Sequence, residues 1–288
     1  MQSLKFNIFQ NPNGILYDPL SIAAALDQYV SGEPYVAGEL FTLNGLWHSW
    51  KHHSSFSGID KEIVLANMNS SVIRANNFIA EAKILIITFG TAFHYQLTDT
   101  KINVANCHKG PAAKFEKKLL TVNNIIDVLQ KSIGNIRSFN PGIRIIFTIS
   151  PVKHISDGVV ENNWSKARLL DAVHTMVNEL EDVYYFPSYE LVNDILRDYR
   201  FYKSDMAHPS GQAIQFVFDH FCKALLDADA IHLMQRINEL LDAVNHKPLF
   251  KESEGHLKFK AAQLSKIKHL EKDFPFLDFS HEKAHFVS

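Results

Sequence analysis

Asp205 and His208 stand three apart in the polar stretch Tyr199 to Ser210 (YRFYKSDMAHPS), which runs straight into an apolar-periodic segment. An Asp-x-x-His pair in a loop before a helix lets the carboxylate hold the imidazole Nδ1–H, which fixes the tautomer and leaves Nε2 free as a base. Alternatively the stretch is a solvated charged loop in which Pro209-Ser210 simply opens a helix. A second stretch, Thr88-Phe89-Gly90-Thr91-Ala92-Phe93-His94, contains a glycine whose missing Cβ would let a backbone N–H approach a bound oxyanion, so Gly90 and Thr91 are candidate pocket residues. A third, Ser150-Pro151-Val152-Lys153-His154, is a polar tip that an ordinary loop explains equally well.

Other reactive residues point to less. His52-His53 with Cys107-His108 could be imagined as four metal ligands, but adjacent ligands do not converge readily on one ion and the chain has no Cys-x-x-Cys pair, so no metal and no cofactor are expected. His53 is a candidate polar contact lining a pocket, against a surface or satisfied core histidine. Cys107 lies in a polar connection without the strand-turn-helix setting of a nucleophile, and Cys222 falls on a helical apolar stripe and reads as core. Trp47 and Trp50 follow a turn signal and read as a packed hairpin face more readily than as a sugar-stacking platform.

These residues need elements to hold them. Asp18-Pro19 opens a helix through SIAAALDQYV that Ser31-Gly32 stops. Leu40 to Leu43 and Leu46 to Trp50 flank Asn44-Gly45, a strong two-residue hairpin signal. A stripe of Ile63, Leu65, Met68, Val72, Ile73 and Ile79 predicts a helix before the strand Ile84 to Ile87. The pattern repeats: Val122, Ile125, Ile126, Leu129, Ile133 and Ile136 precede the strand Gly142 to Ile149. A helix capped by Ser165 and carrying Leu169, Val173 and Met176 then precedes Val183 to Phe186. Alternating helices and apolar strands imply an α/β fold whose parallel sheet is covered on both faces, with ligands at the carboxyl ends of its strands. Helices fill the chain after Ser210, so the expected organisation is an α/β domain over residues 1–228 and a helical extension over 229–288.

Composition narrows the partners. Across 288 residues, Lys+Arg 29 against Asp+Glu 31 leaves a net charge of −2, which argues against wrapping nucleic acid or adhering to an anionic membrane. Two cysteines cannot build a disulfide framework. The N-terminus also lacks the apolar run of about 7 to 15 residues that a secretory leader needs, so the chain is expected to be cytoplasmic.

The segments NPNGILYDPLSIA, NGLWHSWKHHSSFS, ITFGTAFHY, NCHK, SFNPGIRIIFTISPVKH and YYFPSYELVNDILRDYRFYKSDMAHPS, with the closing helices, resemble the GSCFA family, a branch of the SGNH (GDSL-like) hydrolase superfamily. The resemblance implies a three-layer, flavodoxin-like parallel sheet, activity on a small-molecule or carbohydrate ester, and Asp205 and His208 as orienter and base. The sequence departs from the family in one respect: the Gly-Ser-Cys-Phe-Ala motif, whose Ser resembles the SGNH nucleophile, does not occur in it. The chain opens where the segment after the nucleophile's helix would lie, so the first strand, that Ser and that helix are expected to be missing. From typical SGNH enzymes the sequence departs in a second respect, since the position two residues after Gly90, where resemblance to them implies an oxyanion-hole Asn, is Ala92. The 288-residue form is therefore expected to be an inactive ester-hydrolase or acyl-transfer domain; the alternatives are a catalytically dead binding module and an interaction protein working through its C-terminal helices. Without a first strand, the chain is further expected to aggregate or to recruit Phe6 to Ile8 as a partial replacement.

Overall fold

The computed structural model describes residues 2–250 and 252–287. The Asp18 carboxylate accepts the Ser21 N–H at 3.0 Å and starts α1 (Pro19–Ser31), and Gly32, at φ +65°, ends it. Strands β1 (Leu40–Leu43) and β2 (Leu46–Ser49) pair antiparallel with Leu43 opposite Leu46. Asn44 at φ +51° and Gly45 at +75° close the hairpin in the left-handed pair that suits strand twist. Helix α2 (Lys61–Glu81) buries Val64, Met68, Val72, Ala75 and Ile79, while Ile63 and Ile73 of the expected stripe are exposed. Met68, Val72 and Ile79 of that stripe lie on the buried face, which Val64 and Ala75 complete in place of Ile63 and Ile73.

Strand β3 (Ile84–Phe89) leads into an antiparallel sheet that periodicity did not reveal: β4 (Phe93–Leu97) lies between β5 (Asn103–Val104) and β6 (Phe115–Leu119). Its polar residues pair across the strands, His94 Nδ1 with Asn103 Oδ1 at 2.8 Å and Gln96 with Glu116 at 2.6 Å, so no clean alternation marks it. Helix α3 (Val122–Phe139), β7 (Arg144–Ile149), α4 (Val159–Glu179) and β8 (Val183–Phe186) complete the parallel sheet, in the order β3-β7-β8. A short helix, α5 (Ser188–Glu190), runs on as a π-helical turn, Leu191–Leu196. Four helices follow: α6 (Gly211–Leu225), α7 (Ala228–Asn245), α8 (Glu254–Asp273) and α9 (Ser280–Val287). The chain divides into two compact units, Phe9–Phe218 and Met1–Ile8 with Asp219–Ser288, so the division falls within α6. No helix among the described residues is long and apolar enough to cross a membrane.

The sheet and its helices form the main core. Ile87 and Phe89 of β3, Ile145, Phe147 and Ile149 of β7 and Val183 of β8 point to one face and pack with Ala23 and Leu26 of α1, Ile125, Leu129 and Ile133 of α3, and Leu169, Val173 and Met176 of α4. The other face is only partly covered. Ile146 and Phe186 are buried there, but Ile84, Ile86 and Tyr184 are exposed, which differs from the expected sheet with two covered faces. Strand β3 is an edge of its sheet, and Phe6 to Ile8 form no strand beside it.

The two faces of β3 make a direct comparison possible. Ile87→Thr buries an unpaired hydroxyl where Ile87 is 3% exposed and should cost about 2 kcal/mol or more. Ile86→Thr, at a position 42% exposed, should change stability by less than about 0.5 kcal/mol. Denaturant melts of the two variants check this, and equal losses would show that the Ile86 face is covered in solution.

Candidate functional site

Parallel pairing places the segments after Phe89, Ile149 and Phe186 at one end of the sheet. Asp205 and His208 sit in the loop ahead of α6. Asp205 Oδ1 accepts the backbone N–H groups of Ala207 and His208, each at 2.9 Å, and Oδ2 accepts from His208 Nδ1 at 2.8 Å. The separation lies within the hydrogen-bond reach that base chemistry requires. The two amides and the imidazole, with the His208 amide contributing most, hold the Asp205 carboxyl down at about 2. Both side chains are about half exposed, and His208 Nε2 has no hydrogen-bond partner among the described residues. Around the pair, Lys203 N–H donates to His208 O and Ser210 N–H to Phe201 O, both at 2.7 Å, and Met206 takes the left-handed conformation at φ +56°. The loop is therefore a built turn closed by its own backbone.

The loop after β7 is tied to this turn. Lys153 N–H donates to Ala207 O at 3.1 Å, and Lys153 Nζ lies 4.0 Å from the Tyr202 ring centroid and 4.5 Å from that of Tyr199. The loop after β3 is engaged elsewhere. Gly90 N–H and Thr91 N–H both donate to the carbonyl of Tyr17, at 2.8 and 3.2 Å. A Cβ at position 90 would lie 3.1 Å from the Tyr17 ring, so close approach of the Tyr17 segment accounts for the glycine. The two amides proposed for an oxyanion are thus already satisfied, because the strand end is packed under the segment that enters α1.

Residues that the sequence reading missed converge on the same strand ends. Gly158, at φ +99°, starts α4 seven residues before Ser165, which is therefore not the helix cap. The Ser165 hydroxyl instead accepts the Ala92 N–H at 2.7 Å and shares a hydrogen bond with Thr91 Oγ1 at 3.0 Å. Its neighbour Lys166, 1% exposed, donates to Gly90 O at 2.6 Å and Ser150 O at 2.7 Å. Burial pulls this amine down to about 7. A sequence signal existed: Lys166 falls on the stripe of Leu169, Val173 and Met176, all buried against the sheet.

The remaining candidates take structural positions. His53 caps the 3-10 turn Ser54–Phe56 through Nδ1, which accepts the Ser55 N–H, and its own N–H donates to Asn13 O; the structure does not bring it to the Asp205 turn through any of these bonds. Trp50 stacks on Phe41 at 3.6 Å within a cluster that includes His48 and His108, so its ring faces are taken up by packing. The Cys107 thiol is pushed up to about 11 by burial, away from the thiolate a nucleophile needs. No group of three or more His, Cys, Asp or Glu is placed to hold a metal among the described residues.

Two pH dependences follow. Asp205 should remain ionised until the pH falls to about 2, well below an ordinary aspartate, which a carboxyl-carbon NMR titration reads directly; a midpoint near 4 would show that the two amide bonds are not held in solution. The second concerns His52, fully buried with Nδ1 on Ser49 Oγ at 3.1 Å and Nε2 unpaired, and lowered to about 3 by burial first and then by Lys51 and His108. Below its ordinary value of 6.5 the unfolded chain binds a proton that the folded chain refuses, so stability is full above that pH and falls as pH drops from 6.5 toward 3. The loss is about 1.4 kcal/mol per pH unit at most. His52→Leu should flatten the decline of melting temperature between pH 6.5 and 4, and parallel curves for variant and wild type would contradict it.

No curated protein and no solved structure matches the chain. The family model described as "GSCFA family" matches residues 1–221, and that described as "GSCFA domain protein, C-terminal domain" matches residues 237–288. The first covers well over half of the chain and includes β3, β7, β8 and the Asp205–His208 turn, so the protein belongs to the GSCFA family.

Proposed function

We propose that residues 9–218 form an SGNH-type domain that handles acyl esters of small molecules or carbohydrates, with His208 as general base and Asp205 as its orienter. The observation that carries this is the Asp205 Oδ2 to His208 Nδ1 bond of 2.8 Å, made by a carboxylate already fixed by two backbone amides, while Nε2 is left without a partner. A base so held has one tautomer and one free lone pair, the arrangement that takes a proton from a hydroxyl nucleophile and returns it to a leaving alcohol. The order β3-β7-β8, with α3 and α4 packed on one face, is consistent with a three-layer, flavodoxin-like sheet. Free thiols at Cys107 and Cys222 suit a reducing, cytoplasmic setting.

Within the 288 residues the serines nearest the strand ends are engaged away from His208. Ser150 Oγ accepts the Val152 N–H, Ser165 serves Thr91 and Ala92, and Ser188 donates to Ile149 O at 2.7 Å. Among the described residues none of these serines meets Nε2, and the 288-residue protein is expected to bind without turnover. One observation favours the second reading, a binding module: the Tyr17 carbonyl already holds the Gly90 and Thr91 amides.

Loss of the nucleophile from a serine-hydrolase triad lowers kcat on the order of 10⁶-fold. The 288-residue protein and its His208→Ala variant should thus hydrolyse 4-nitrophenyl acetate at the same background rate. A rate that His208→Ala abolishes would overturn the assignment of this chain as inactive and reveal a nucleophile within it. An in-frame Gly-Ser-Cys motif in the DNA ahead of the Met1 codon, with His208-dependent turnover in the protein carrying it, would favour the hydrolase over the binding module.

A further inference from the structure

Lys166 is a large charged-type side chain, 1% exposed, that no carboxylate meets among the described residues. Such burial works against folding, and an apolar residue of similar length would fill the same space without desolvating an amine. What the side chain does accomplish is specific. Its Nζ bridges Gly90 O and Ser150 O, the first residues after β3 and β7, and so spans the gap between the ends of two adjacent parallel strands. A neutral amine has two N–H groups, which matches the two carbonyl acceptors without leaving a charge in the interior. His154 converges on the same place: its imidazole is turned toward the Gly90 backbone and is lowered by burial and then by the proximity of Lys166.

The bridge extends to the Asp205 turn. Ser150 opens the loop whose Lys153 N–H donates to Ala207 O, one residue before His208. The geometry points to Lys166 as the positioning residue that sets the Ser150 loop, and through it the Asp205–His208 turn, by holding the Gly90 and Ser150 carbonyls on one amine. This role deepens the proposed ester chemistry and rests on it, but its test does not need turnover. Lys166 touches neither a substrate nor His208 itself; it acts through the Ser150 loop.

The experiment is an amide and imidazole NMR comparison of the full 288-residue protein with Lys166→Met. The expected result is a coupled displacement of the Thr91, Val152, Lys153, Ala207 and His208 amide signals, with loss or broadening of the downfield His208 Nδ1–H. A merely structural lysine would lower the melting temperature and shift its immediate neighbours while leaving Ala207 and His208 unmoved, and that outcome overturns the proposal. Should Lys166→Met fail to fold, the wild-type protein with 15N-labelled lysine side chains decides. A Lys166 Nζ signal whose protons exchange much more slowly than those of surface lysines supports the bridge, and exchange at the surface rate refutes it. Absence of His208-dependent ester hydrolysis in a protein that carries an upstream in-frame Gly-Ser-Cys motif, with the NMR couplings intact, counts against the hydrolase alone, whereas unmoved His208 signals count against Lys166 alone.

Discussion

Strand β7 is the constraint on which the larger unit depends. It pairs in parallel with β3 on one side and β8 on the other, and from Ile145 to Ile149 every residue is buried. Parallel strands cannot be joined by tight turns, so each connection must cross over the sheet, and α4 makes the crossover from β7 to β8. The same geometry brings the segments after Phe89, Ile149 and Phe186 to one end. The gathering of these loops at that end is therefore a consequence of how a buried parallel strand must be connected, and Ile145, Phe147 and Ile149 position the loops by anchoring the strand they leave.

At that end the polar side chains are satisfied mostly by backbone. Asp205 takes two amides, Lys166 gives to two carbonyls, Ser165 takes the Ala92 amide and Ser188 gives to Ile149 O. A side chain bonded to main chain fixes the path of the loop as well as its own rotamer, because the peptide group cannot turn without breaking the bond. Asp205 and Lys166 are electrostatic opposites in the same scheme. The exposed carboxylate is kept charged by donors, and the buried amine is driven toward neutrality by loss of water.

The aromatic hairpin follows a different logic. Phe41, His48, Trp50 and His108 stack together, and each of these imidazoles spends its nitrogens on nearby serine or main-chain oxygens: His48 on Ser57 Oγ and Leu43 O, His108 on Ser49 O. Histidines used in this way are flat, polar-edged packing units. His108, one of the residues weighed as a metal ligand, is one of these packed imidazoles.

Local signals were enough for much of this. The Asp18-Pro19 start and Gly32 stop of α1, the Asn44-Gly45 hairpin, the helix-then-strand alternation and the strand Val183–Phe186 are all set by residues within a few positions of one another, through caps, left-handed turns and apolar periodicity. The Asp205–His208 contact was legible for the same reason, since three residues of a single turn decide it. Tertiary structure alone decided the rest: the β4-β5-β6 sheet, the donation of the Gly90 and Thr91 amides to Tyr17, and the reach of Lys166 to two strand ends. The longest of these, Lys166 to Gly90, joins residues 76 positions apart. A carbonyl at position 17 is chemically identical to every other carbonyl in the chain until folding brings it to Gly90, and a lysine on an apolar stripe is an anomaly until the sheet supplies the oxygens that account for it.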